Sequence, residues 1–141
     1  MRVFKGKSFV RFAKKEGITD AKLVEAIKKA EKGSIDADYG GGVIKQRIAR
    51  PGQGKSGGYR SIILFRKGEL AFFAYGFAKN ERDNIDNDEE RSFKKLAKVV
   101  LAFSDEALKT ATDSGTWTEV QYEDEKDDEN CDEKDGKRAD K

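Results

Sequence analysis

Nine consecutive residues, Leu70-Ala71-Phe72-Phe73-Ala74-Tyr75-Gly76-Phe77-Ala78, carry no charge in a chain where 40% of residues are Asp, Glu, Lys or Arg. The run is far shorter than the ~20 residues of a membrane helix, and neither of its faces is polar. It therefore predicts a central β-strand covered on both sides or nearly so. The rest of the chain has to supply two covers. Towards the N-terminus, residues 2–5 suit a short strand. Ser8 is placed to cap a helix that holds Phe9, Val10, Phe12 and Ala13 and stops at Gly17. Thr19 or Asp20 caps a second helix, with Leu23, Val24, Ile27 and Ala30 at three- and four-residue spacing, ending at Gly33. Towards the C-terminus, Asp88 opens a helix to about Phe103 with Phe93, Leu96, Ala97, Val100 and Leu101 on its inner stripe. Ser104 caps another helix that ends at Gly115, before a short strand over residues 116–122.

Between these covers lie the partners of the central strand. Residues 34–42 form a polar, glycine-ended connection. Residues 43–50 alternate, with Ile44, Gln46 and Ile48 on one side and Lys45, Arg47 and Ala49 on the other. After a glycine-rich loop over residues 51–58, Tyr59, Ser61, Ile63 and Phe65 oppose Arg60, Ile62, Leu64 and Arg66, and Lys67-Gly68 turns the chain back. From Val43 to Gly68 there is no acidic residue, while Lys45, Arg47, Arg50, Lys55, Arg60, Arg66 and Lys67 are all basic. Such a surface suits a polyanion, and the net charge of +2 shows that its charge is organised rather than abundant. Residues 1–80 hold 18 Lys and Arg against 7 Asp and Glu, whereas residues 123–141 hold 5 against 10.

These patterns divide the chain into one domain, residues 1–122, and an acidic tail, residues 123–141, with no periodicity and too little apolar surface to offset chain entropy. The aromatic residues of the domain each contribute about 2–3 kcal/mol when fully covered. A single cysteine, Cys131, precludes an intrachain disulfide and fits a reducing compartment. No signal peptide or membrane span is evident, so a soluble cytoplasmic protein without membrane contact is expected. Histidine is absent, which removes the usual general base near neutral pH and the commonest transition-metal ligand. The string Gly54-Lys55-Ser56 is not a Walker loop, because Ala49 stands where the first glycine belongs and a strand follows where a helix is needed. A solvated charge run is the ordinary fate of basic strands. Here the missing acidic partners and the neighbouring Tyr59 favour phosphate contact with base stacking. The same lack of carboxylates disfavours Mg²⁺-assisted cleavage. No metal and no cofactor are expected.

Two strings carry a resemblance: Gly57-Gly58-Tyr59-Arg60-Ser61-Ile62-Ile63, and Tyr75-Gly76-Phe77-Ala78-Lys79-Asn80-Glu81-Arg82-Asp83-Asn84-Ile85. In this order, after a helical hairpin, they resemble the RelE superfamily of bacterial toxins and within it the HigB-like branch, over about residues 1–120. The resemblance implies an α+β, RelE-like fold: a twisted, mainly antiparallel sheet with an N-terminal helical hairpin on one side and C-terminal helices beside it. It implies a ribosome-dependent endoribonuclease that cuts translated mRNA, silenced by a cognate antitoxin, typically a helix-turn-helix protein. Arg60 matches the family's phosphate-binding arginine and would stabilise the pentacoordinate transition state. Lys55 and Lys79 become the candidate acid and base, since crowding among cations draws a lysine pKa towards neutrality. Lys45, Arg47, Arg50 and Arg82 would hold RNA backbones, and Tyr59 or Tyr75 either stacks a base or packs in the core. The chain departs from several relatives at Asn80, where they carry arginine, and at Asp86, where they carry tyrosine. A non-catalytic nucleic-acid binder and a ParE-like gyrase inhibitor are the alternatives.

Overall fold

The computed structural model describes residues 1–49 and 58–122. Its elements follow in the order β1 (Arg2–Gly6), α1 (Lys7–Glu16), α2 (Asp20–Glu31), β2 (Ala37–Gly40), β3 (Val43–Ile48), β4 (Tyr59–Arg66), β5 (Leu70–Ala78), α3 (Asn87–Val100), α4 (Asp105–Asp113) and β6 (Trp117–Val120). Among the described residues the strands form one six-stranded sheet, ordered β2-β3-β4-β5-β1-β6. The β1–β5 pair is parallel and the other four pairs are antiparallel. This is the α+β, mainly antiparallel architecture expected from the sequence.

Local chemistry accounts for where the elements begin and end, with some changes from the sequence expectation. Gly6, not Ser8, precedes α1, and no side chain caps that helix. Thr19 caps α2 by accepting from the Lys22 N–H, and Ser104 caps α4 by accepting from the Ala107 N–H. The α3 cap is Asp86 rather than Asp88, in a full capping box: Asp86 accepts from the Glu89 N–H, and Glu89 accepts from the Asp86 N–H. Helix α3 stops at Val100, short of Phe103. The expected polar connection contains an edge strand, β2, which turns through Gly41 and Gly42 into β3. Gly42 has φ +85°, and a Cβ there would lie 2.7 Å from the Leu101 side chain, so the turn and the α3 cover both require glycine.

Strand β5 is central and covered on both faces. On one face α1 and α2 pack Phe9, Ala13, Leu23 and Ile27 against Val3, Ile44, Ile48, Tyr59, Ile63 and Phe73. The Phe9 and Phe73 rings lie 5.0 Å apart. On the other face α3 and α4 bring Ala97, Val100, Leu101 and Leu108 over Phe4, Val43, Ile62, Leu64 and Phe72. Trp117 meets Phe72 edge-on at 4.9 Å.

The two faces are linked by an irregularity in β5. Ile62 pairs with Tyr75 while Ile63 pairs with Phe73, which leaves Ala74 as an extra residue. Strict alternation would place Phe73, Tyr75 and Phe77 together. The bulge reverses the parity, so Phe73 faces the α1–α2 layer while Tyr75 and Phe77 belong with α3. Gly76 consequently faces α1, where a Cβ would come within 2.5 Å of the Phe12 ring. Among the described residues no helix is long and apolar enough to cross a membrane.

Candidate functional site

The same alternation that buries Ile44, Gln46 and Ile48 under α2 turns Lys45 and Arg47 to the α3 face, and on β4 it turns Arg60 to that face as well. Arg47 and Arg60 are directly opposed in the β3–β4 register. Arg60 is paired in turn with Phe77 on β5. Lys79 lies in the turn that follows β5. Its N–H donates to the Gly58 carbonyl at 3.3 Å, which ties the end of β5 to the start of β4. Three of the sequence-derived candidates, Lys45, Arg47 and Arg60, therefore share one face of the sheet, and Lys79 follows β5 at the end where Arg60 lies. Arg50 and Lys55 lie outside the described residues.

Arg60 is only 9% exposed, so its charge needs a partner. The partner is Asp36, whose Oδ2 lies 3.3 Å from Arg60 Nε and 3.9 Å from Lys45 Nζ. Arg60 Nη1 also donates to the Tyr59 carbonyl at 3.4 Å, and Lys45 Nζ donates to the Asp83 carbonyl at 3.5 Å. The acid-free stretch is thus acid-free in sequence but not in space. The residue just before β2 carries a carboxylate into it. Among the described residues Arg47 and Lys79 have no ion-pair partner.

Two candidates sit differently from the expectation. Tyr59 is 2% exposed and faces α1, not the cations. Its ring meets Phe12 edge-on at 5.6 Å and its hydroxyl donates to Glu16 Oε1 at 3.0 Å. It packs in the core, on the face opposite to Arg60, because adjacent residues of a strand point to opposite faces. Tyr75 is half-buried between Phe77 and Phe93.

Arg82, expected to hold RNA, turns its guanidinium to its own chain. Nη2 and Nη1 donate to the two Glu89 oxygens at 2.6 and 3.2 Å, Nη1 donates to the Tyr75 hydroxyl at 3.1 Å, and Nε donates to the Asn84 carbonyl at 2.9 Å. The plane lies 5.4 Å from the Phe77 ring centroid. The Glu89 hydrogen bonds, more than any other cause, raise the Arg82 pKa. In return Arg82, and then the Asp86 N–H, hold the Glu89 carboxyl below its ordinary value. Arg82 is an anchor for the loop over residues 79–86, since most of a guanidinium's donors are used there.

That loop is also held from β2. The Tyr39 hydroxyl donates to Asn84 Oδ1, which accepts from the Ile85 N–H at 2.9 Å as well. Burial, then the Glu90 and Asp36 carboxylates, raise the Tyr39 phenol, so it remains a donor. Sequence reasoning missed Asp36, Tyr39, Asn84 and Glu89. Only Glu89 had a local signal, the Asp86-x-x-Glu89 spacing of a capping box.

With this geometry in place, comparison with known families gives a match over residues 1–120 to the family described as the RelE toxin of the RelE/RelB toxin–antitoxin system. The chain belongs to the RelE toxin family, and membership implies a role as the toxin of such a system with an antitoxin as its partner. No curated protein matches the chain.

Proposed function

We propose that the chain is a metal-independent, ribosome-dependent endoribonuclease of the HigB-like branch, an mRNA interferase that cleaves translated mRNA and thereby inhibits translation in the cytoplasm. The observation that carries this reading is Arg60: a guanidinium nine-tenths buried on a central strand, facing the same way as Lys45 and Arg47, with Lys79 in the turn after the neighbouring strand. A fixed cation of this kind is suited to charge that develops on a phosphate, because it need not reorganise during the reaction. Lys45 and Arg47, with Arg50, would grip the RNA backbone. Lys79 and Lys55 are the candidates for proton transfer. The ribosome would supply much of the alignment of the 2′-hydroxyl with its phosphate, and positioning of that kind is worth several kcal/mol, up to about 7–11.

In this reading the toxin domain is residues 1–122, residues 123–141 are an acidic tail outside it, and the antitoxin is of the helix-turn-helix type. The branch assignment is supported by the two strings around Tyr59-Arg60 and Lys79-Asn80-Glu81-Arg82. Asp86, at a position where several relatives have tyrosine, has a structural role as the α3 cap. That leaves the leaving-group proton to a lysine. The test is to add purified protein to a translating extract and map mRNA ends by primer extension. New ends at A-site codons that vanish with Arg60→Ala are expected. RNA binding without product, or growth arrest accompanied by DNA-gyrase cleavage complexes, would sink the nuclease.

A further inference from the structure

We infer that Asp36 is the general base of the site, a deepening that rests on the nuclease reading above. Three observations lead to it. First, Asp36 is the carboxylate that reaches the cations, 3.3 Å from Arg60 Nε and 3.9 Å from Lys45 Nζ. Those contacts are long for charge-assisted hydrogen bonds, which run about 2.7–2.9 Å, so Asp36 is held near Arg60 without being fully engaged by it. Second, its side chain is 35% exposed and, with Arg47, lines a cleft of about 460 Å³ between β3 and the α2 residues Lys22, Glu25 and Lys29. A ribose entering beside Arg47 therefore has access to it.

Third, a buried glutamine is devoted to placing it. Gln46 is 3% exposed on β3, and its side chain donates to the Ala26 carbonyl at 3.0 Å and the Ser34 carbonyl at 2.8 Å while accepting from the Asp36 N–H at 3.1 Å. A buried amide is costly unless satisfied, and this one is satisfied by fastening the connection before β2 to both α2 and β3. The fastening fixes the backbone of Asp36 relative to the strand that bears Lys45 and Arg47.

The chemistry balances. The Asp36 carboxylate takes the proton of the 2′-hydroxyl as O2′ bonds to phosphorus and the P–O5′ bond breaks. The departing O5′ takes a proton from the Lys79 ammonium, giving a 2′,3′-cyclic phosphate and a 5′-hydroxyl. One proton enters the protein and one leaves it, while Arg60 faces the charge on the non-bridging oxygens.

The experiment compares wild type, Asp36→Asn and Asp36→Glu for single-turnover mRNA cleavage on programmed ribosomes, with ribosome affinity and thermal midpoint measured in parallel. A general base predicts that Asp36→Asn slows cleavage about 100-fold or more. It also predicts that affinity and midpoint stay near wild type, and that Asp36→Glu recovers part of the rate. If Asp36 only occupies the phosphate position on Arg60, Asp36→Asn cleaves as fast as wild type or faster, and the inference is overturned. Loss of rate that tracks loss of affinity or of folding overturns it too. Absence of cleavage by wild type overturns the nuclease reading itself, so the two failures are told apart.

Discussion

The two faces of the sheet are built from the same strands but serve different purposes, and Tyr59 and Arg60 show this within one dipeptide. The face under α1 and α2 is closed by interlocking rings, Phe9 on Phe73 and Phe12 on Tyr59, and its polar atoms are matched locally. The face under α3 and α4 is apolar at the end holding Val43 and Leu64 and cationic at the end holding Arg47 and Arg60, with Lys45 and Ile62 paired between them. One face is optimised for stability. The other adds to its own apolar cluster a group of like charges whose repulsion is only partly relieved by Asp36, an arrangement that suits the phosphate-binding role proposed above.

If the faces divide labour in this way, substitutions on them should separate activity from stability. The largest effect is expected for Arg60→Ala, which removes about 3–4 kcal/mol of transition-state stabilisation. mRNA cleavage should fall at least 100-fold in primer-extension assays, whereas Tyr59→Phe, one residue away, should cleave within twofold of wild type. Equal losses from both would break the comparison. Next, Gly76→Val forces a side chain into the Phe12 ring and should cost about 1–3 kcal/mol in urea denaturation.

Glu89→Gln should cost about 1 kcal/mol, since the Arg82–Glu89 pair is about one-third exposed and partly screened. Its pH dependence has a definite sign. The folded-state pKa of Glu89 is depressed by Arg82 and the Asp86 N–H, so its contribution is complete above the ordinary carboxylate range and is lost as pH falls through the folded value. The variant should lack that part of the acid sensitivity in denaturation curves taken between neutral and strongly acidic pH. The smallest effect, about 0.2–1 kcal/mol and reduced by salt, is expected for Glu119→Ala, which breaks the exposed pair with Arg2.

The central strand, the helical hairpin and the alternation of β3 and β4 were legible in the sequence because each depends on local periodicity. Two features that shape the site were not. The bulge at Ala74 lies inside an apolar run whose residues look interchangeable, so nothing in the spacing marks where parity reverses. Yet the bulge decides that Phe77 lies beside Arg60 on the α3 face. Asp36 was invisible for another reason. It lies outside the acid-free stretch by sequence, and only the β2–β3 pairing, with Gln46 behind it, brings the two together. Arg82 shows the converse error, a basic residue in the right string whose donors are used by Glu89 and Asn84.

The placement of β1 has a consequence for how this protein comes into being. Among the described residues β1 is the first strand in the chain, but its neighbours are β5 and the last described strand, β6, whose Trp117 lies against Phe72 while Glu119 holds Arg2 across 2.9 Å. A nascent chain that has emerged only as far as α4 leaves β1 with one side unpaired and the Phe72 cluster without its tryptophan. Completion of the sheet thus waits for β6, a pairing between segments more than a hundred residues apart in the chain.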